Sequence, residues 1–202
     1  MAHAWTERQF VGGTVALDFA NTVCYRDDPA RCFDKISGVK ELRAFAREAL
    51  VHSDAGGWSA DFPRGEMDDL TLTLYRAVRE TVDELFRPVA HDGNLETLPF
   101  QALLRFHRDF ISGCRIRVTE LGFDLDPEDH PSFPLVLTHS ALRLAGSAEL
   151  RRLRLCRNCG WLFIDRSRNG SRVWCDMLTC GNRAKVKRHQ SRQTEIQLNG
   201  NR

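Results

Sequence analysis

The sequence predicts an α+β protein in two parts. A mostly helical N-terminal domain with a small β-hairpin covers residues 1–150, and a compact module rich in cysteine covers residues 151–202. Three observations carry this reading. Helical periodicity dominates the first part, four of the seven cysteines fall within the second, and charge divides along the same line. The chain has 202 residues and a net charge of only +2. Residues 151–202, however, hold 13 basic and 3 acidic side chains, a net of +10, and the remainder hold 16 and 24, a net of −8. A near-neutral total therefore hides two opposed regions.

Within the N-terminal domain, residues 37–52 place Leu42, Phe45, Ala46, Ala49 and Leu50 on one face of an amphipathic helix. A longer helix is predicted over 68–87, with Leu74, Tyr75, Val78, Val82, Leu85 and Phe86 inward and Pro88 closing it. A third begins near Thr97, tolerates Pro99 in its first turn, and carries Leu103, Leu104, His107, Phe110 and Ile111 before Gly113 stops it. On that apolar face His107 reads as a core histidine. Residues 115–125 alternate through Ile116, Val118, Leu121 and Phe123 and read as a strand, with 132–137 as its partner. A helix over 138–152 then leads into the second region with little linker, so the two regions are expected to share an interface. If residues 18–25 are helical, Asp18, Asn21 and Thr22 lie on one side at i, i+3 and i+4. Three polar groups in an apolar stretch can cap backbone within a buried hydrogen-bond network, or bind a small ligand.

The second region is organised by Cys156-x2-Cys159-x15-Cys175-x4-Cys180. Two close pairs of soft thiolates can complete a tetrahedral shell around one zinc ion, and four protein ligands leave no open position for water. The predicted zinc is therefore structural. The first pair reads as a knuckle ending at Gly160; Trp161 to Ile164 and Arg172 to Trp174 read as a hairpin around Asn169-Gly170. Asp176 reads as the N-cap of a helix over 177–197. Knuckle, hairpin and helix-borne ligands make a treble-clef-like four-cysteine zinc finger. The remaining cysteines, Cys24, Cys32 and Cys114, read as small buried hydrophobes. An odd cysteine count and no secretory-type apolar segment suit a reducing cytoplasm, and no stretch has the apolar length of a membrane span.

Arg183, Lys185, Lys187, Arg188 and Arg192 fall on the predicted finger helix, with Arg172 on the hairpin and Arg166 and Arg168 in its turn. Such a basic face can follow a phosphate backbone, which makes DNA the expected partner. Asn182 and Arg183, directly after a ligand, can instead support the metal shell or nearby backbone.

Cys180-Gly181-Asn182-Arg183, set between Trp174-Cys175-Asp176-Met177 and Ala184-Lys185, resembles the CGNR zinc-finger proteins of bacteria. In them the finger follows an N-terminal ABATE domain. Leu17-Asp18-Phe19-Ala20-Asn21-Thr22 resembles the early signature of that domain. The resemblance implies a stress-linked transcription regulator, with the finger on DNA and the N-terminal domain sensing an unidentified small molecule or protein partner. The alternative is a zinc-finger module that contacts RNA or protein without sequence-specific DNA binding. A homodimer is a further candidate, because a single short finger gains from pairing. No nucleotide-binding or hydrolase motif is present, so catalysis is not expected.

Overall fold

The computed structural model describes residues 5–53, 68–120, 122–186 and 190. At its centre lies α1 (Val15–Ala20), a single short helix whose six residues are all buried. Thr14 caps it, accepting a hydrogen bond from the Leu17 N–H. An apolar helix of this kind is stable only when surrounded. It is packed by α3 (Asp69–Asp92), α5 (Phe133–Ala145) and a strand contributed by the C-terminal region. α1 ends at Ala20, sooner than the sequence pattern suggests, and the chain continues as β1 (Val23–Cys24), paired antiparallel with β2 (Phe33–Asp34).

The other helices are α2 (Val39–His52) and α4 (Thr97–Phe110). One core cluster joins Phe19, Phe45, Tyr75 and Phe133 between α1, α2, α3 and α5. The second joins Leu17, Val82, Leu85, Phe86, Leu103 and Leu144 with Leu153, Leu162 and Ile164 from beyond the N-terminal domain.

Of the cysteines expected to be buried, Cys24 is, Cys114 is half-buried and Cys32 is exposed. Four expectations about the elements also need correction. Pro88 does not close α3, which runs to Asp92 and ends at the left-handed Gly93. Proline removes one helical donor, but Val89 and Ala90 beyond it pack on the second core cluster, and that burial favours continuing the helix. Residues 115–125 are not one strand but a hairpin, β3 (Ile116–Thr119) with β4 (Gly122–Leu125); Leu121 lies outside the described residues. Residues 132–137 are no strand partner: they open α5, which ends at Ala145 and is followed by a 3-10 turn at Ala148–Arg152. A continuous apolar run such as Phe133–Leu137 has no period that separates strand from buried helix. Finally, the finger hairpin pairs β6 (Leu162–Ile164) with β5 (Leu153–Leu155), ahead of the first cysteine. Residues 172–174 form no strand.

His107 is half-buried on α4, 3.2 Å from the Thr138 hydroxyl and stacked 5.7 Å from the His139 ring. Burial and the neighbouring imidazole push its pKa down to about 4. His139 is held by Asp124, which also pairs with Arg143. No described helix is long and apolar enough to cross a membrane.

Candidate metal centre and nucleic-acid interface

The knuckle sits between β5 and β6. The Cys156 N–H donates to the Trp161 carbonyl (2.8 Å) and the Gly160 N–H to the Cys156 carbonyl (2.9 Å), closing the turn around Cys159. Gly160 takes φ +70°, where a side chain would be strained, and an added Cβ would sit 3.1 Å from Asp27 Oδ2. The second pair is set by a different local device. Here Met177–Gly181 forms a π-type turn, with the Gly181 N–H donating to the Asp176 carbonyl at 3.0 Å. Cys180 lies in this turn and Cys175 just ahead of its extended N-cap, and their sulfurs meet at 3.6 Å. As expected, Asp176 caps this turn, accepting from the Leu178 N–H at 3.0 Å.

The four cysteines thus converge. Their sulfur atoms lie within 4.8 Å of one another, and all four side chains are buried. Cys159 and Cys175 sulfurs are 3.7 Å apart, and Cys175 and Cys180 are 3.6 Å apart. Sulfurs on a tetrahedron with Zn–S near ~2.3 Å are separated by about 3.8 Å, so the spacing fits the ion. The chemistry of the set agrees. Hydrogen bonds from the Cys159, Cys175 and Cys180 thiols pull the Cys156 pKa down, and the same contacts hold Cys159 and Cys175 up. Four thiols this close cannot all ionise without a cation among them. They form a single structural zinc site. Asn158 Nδ2 donates to the Cys180 sulfur at 3.4 Å, supporting a ligand from outside the set.

Asp165, fully buried in the loop after β6, accepts the N–H groups of Ser167 (2.9 Å) and Arg172 (2.8 Å). Burial opposes its ionisation, yet these bonds prevail and lower its pKa to about 2. The loop is thereby fastened to the metal centre.

The expected nucleic-acid residues divide. Arg172 is turned inward: its guanidinium donates to the Cys175 and Trp174 carbonyls and lies over the Phe163 ring. Arg166 forms a bidentate pair with Glu149 and reaches the Gly13 carbonyl. Arg183 and Lys185 are exposed on the helical residues 182–186, and Arg183 donates to the Tyr25 hydroxyl at 3.1 Å. Lys187, Arg188 and Arg192 lie outside the described residues. Asn182 donates to the Leu178 carbonyl at 3.0 Å and so serves the turn that carries Cys180. Val186, the apolar residue among these cations, is 56% exposed. Arg157 on the knuckle is also exposed and was not among the expected contacts; its position inside the Cys-x2-Cys turn was the only sequence signal for it.

Asp18, Asn21 and Thr22 are buried, and each meets partners inside the protein. Asp18 accepts from the Gly12 N–H (2.8 Å) and the Ser53 hydroxyl (2.7 Å). Thr22 donates to the Phe19 carbonyl and accepts from Arg79. Asn21 reaches across to the finger. Its amide donates to the Leu162 carbonyl and accepts the Leu162 N–H, both at 2.8 Å, which adds a side chain to the free edge of β6. The Ile164 N–H donates to the Gly12 carbonyl and the Tyr25 N–H to the Cys159 carbonyl, so the two regions are joined through backbone as well.

Two family models match the chain. Residues 152–193 match the CGNR zinc finger, and residues 13–148 match ABATE, described as "Putative stress-induced transcription regulator". Comparison with curated proteins returned no match. With four cysteines gathered as one metal centre behind the CGNR tetrapeptide, the chain belongs to the ABATE family of regulators that carry a CGNR zinc finger.

Proposed function

We propose that the protein is a zinc-dependent DNA-binding transcription regulator of the cytoplasm, acting by binding rather than catalysis. The single observation that carries the reading is the position of the finger's cations. Arg157, Arg183 and Lys185 are exposed around the metal centre, whereas Arg172 is turned onto the Trp174 and Cys175 carbonyls and Arg166, though exposed, is paired with Glu149. Zinc fixes the start of the basic helix, and the helix presents its charge to phosphate. Base contacts by Arg183 would need it to leave Tyr25, which gives the N-terminal domain a direct grip on DNA affinity. Asp18, Asn21 and Thr22 are assigned the task of transmission: Asn21 holds the end of α1 against β6, while Asp18 and Thr22 tie the same segment to Gly12, Ser53 and Arg79, so a change in the N-terminal domain reaches the finger through Asn21.

Competition tests the class of partner. Zinc-loaded protein on labelled duplex DNA is challenged with unlabelled duplex, structured RNA and polyglutamate. Displacement by duplex DNA well before the other two supports the proposal. Preference for RNA or polyglutamate overturns it in favour of an RNA- or protein-interaction module.

A further inference from the structure

Between the β2 strand and the zinc knuckle lies a cleft of about 330 Å³. Its cationic wall is Arg8, Lys35 and Arg183, its apolar wall Tyr25, Phe33 and Trp161, and the zinc ligands Cys159, Cys175 and Cys180 close its floor. Among the described residues no carboxylate lines it, although the surrounding domain carries a net charge of −8. We propose that this cleft binds a small monoanion with a planar apolar body, of the aromatic carboxylate class, with its carboxylate on Lys35.

The charge balance sets the class. Zinc held by four thiolates is a formal dianion, and three cations line the cleft beside it, leaving one positive charge in excess. Lys35 is the best placed of the three. Its ammonium is half-buried, 4.5 Å from the Trp161 ring centroid and 5.3 Å from that of Trp5, near the Cys159 and Cys175 sulfurs but with no carboxylate partner among the described residues. A cation held among rings and short of an acceptor is a site for one. Beside it the Trp161 Nε1–H is buried, with the Cys24 sulfur as its partner and no oxygen or nitrogen acceptor among the described residues. The volume falls at the small end of ligand pockets.

A second feature shows how occupancy would be felt. Tyr25 has φ +55°, a left-handed backbone that a bulky residue adopts only when its surroundings impose it. Those surroundings are the Cys159 carbonyl, bonded by the Tyr25 N–H, and Arg183, bonded to its hydroxyl. The cleft therefore touches both the metal centre and an exposed cation of the finger helix. Binding in the cleft stands apart from the DNA reading; only its effect on DNA rests on the proposed function.

Calorimetric titration of the zinc-loaded full chain with benzoate, benzamide and acetate tests the proposal. Benzoate is expected to bind saturably, at least about tenfold more tightly than neutral benzamide or acetate. Lys35→Met should weaken benzoate by about tenfold or more with zinc content unchanged, and exposed Arg8→Gln should weaken it less. Equal binding of benzoate and benzamide, no saturable binding of benzoate, or benzoate affinity unchanged in Lys35→Met each overturns it. If Lys35→Met loses zinc, Arg8→Gln decides: unchanged benzoate affinity there also counts against the site. DNA affinity is then measured with and without benzoate, so failure to bind DNA is read separately from failure to bind the anion.

Discussion

The two halves of the zinc finger face different worlds. The inward half, β5, the knuckle and β6, places Leu153, Leu162 and Ile164 in the second core cluster and gives its free strand edge to Asn21. The outward half, from Cys175 through the π-type turn, leaves Met177, Leu178 and Val186 exposed beside Arg183 and Lys185. One metal centre joins them. The difference teaches that this finger is not an appended module on a flexible tether. Its first cysteine pair is mainly anchorage, shared with the N-terminal domain and exposing the cation Arg157, and its second pair carries most of the surface that remains free to meet a partner, with Arg183 tied to Tyr25.

The strongest way to break this comparison is to remove the metal. Cys175→Ser should abolish stable zinc binding and forfeit much of the ~10–16 kcal/mol that a structural zinc site supplies. Because β5 and β6 belong to the core, the loss should loosen the N-terminal domain as well. Thermal unfolding followed by far-UV and near-UV circular dichroism checks this; a finger that unfolds while the rest melts as before would show that the halves are not joined. Next comes Asn21→Ala, which leaves the Leu162 N–H and carbonyl buried without partners. A loss of ~2–4 kcal/mol is expected by denaturant titration, with the hairpin becoming the earliest site of proteolysis.

Acid tests the shared body. The folded pKa of His107, about 4, lies below its ordinary value of 6.5. The group therefore contributes stability that is full above pH 6.5 and is lost as pH falls toward 4. After discounting for its partial exposure this amounts to ~1–2 kcal/mol. His107→Leu should flatten the pH dependence of urea stability across that window relative to wild type. The smallest effect belongs to the outward half. Lys185→Gln should leave the melting temperature unchanged and reduce the salt slope of DNA binding by about 0.9, the value of one phosphate contact.

The legible parts of the molecule were those with local rules. Cysteine spacing identified the metal centre, and helical periodicity located α2, α3 and α4, including the entry at Thr97. What escaped depended on distant partners. Pro88 reads as a stop until the core beyond it is known, and Phe133–Leu137 has no period to read. β6 finds its mate ahead of the knuckle because Leu153 and Leu155 face the same core, a fact of tertiary packing. Lys35 and Tyr25 carry no local signal at all. Their meaning comes from Trp161 and Arg183, more than a hundred residues away in sequence.

The central claim is that the outward half of a zinc-fixed finger binds DNA through its cations. Titrating zinc-loaded protein onto duplex DNA across a salt series tests it most directly. The account predicts measurable affinity at low salt, a log–log slope near about −4.5 if the five cations Arg183, Lys185, Lys187, Arg188 and Arg192 of the sequence-predicted helix each meet a phosphate, and loss of that affinity on chelation. No binding at low salt with zinc in place, or a slope that chelation leaves unchanged, would contradict it.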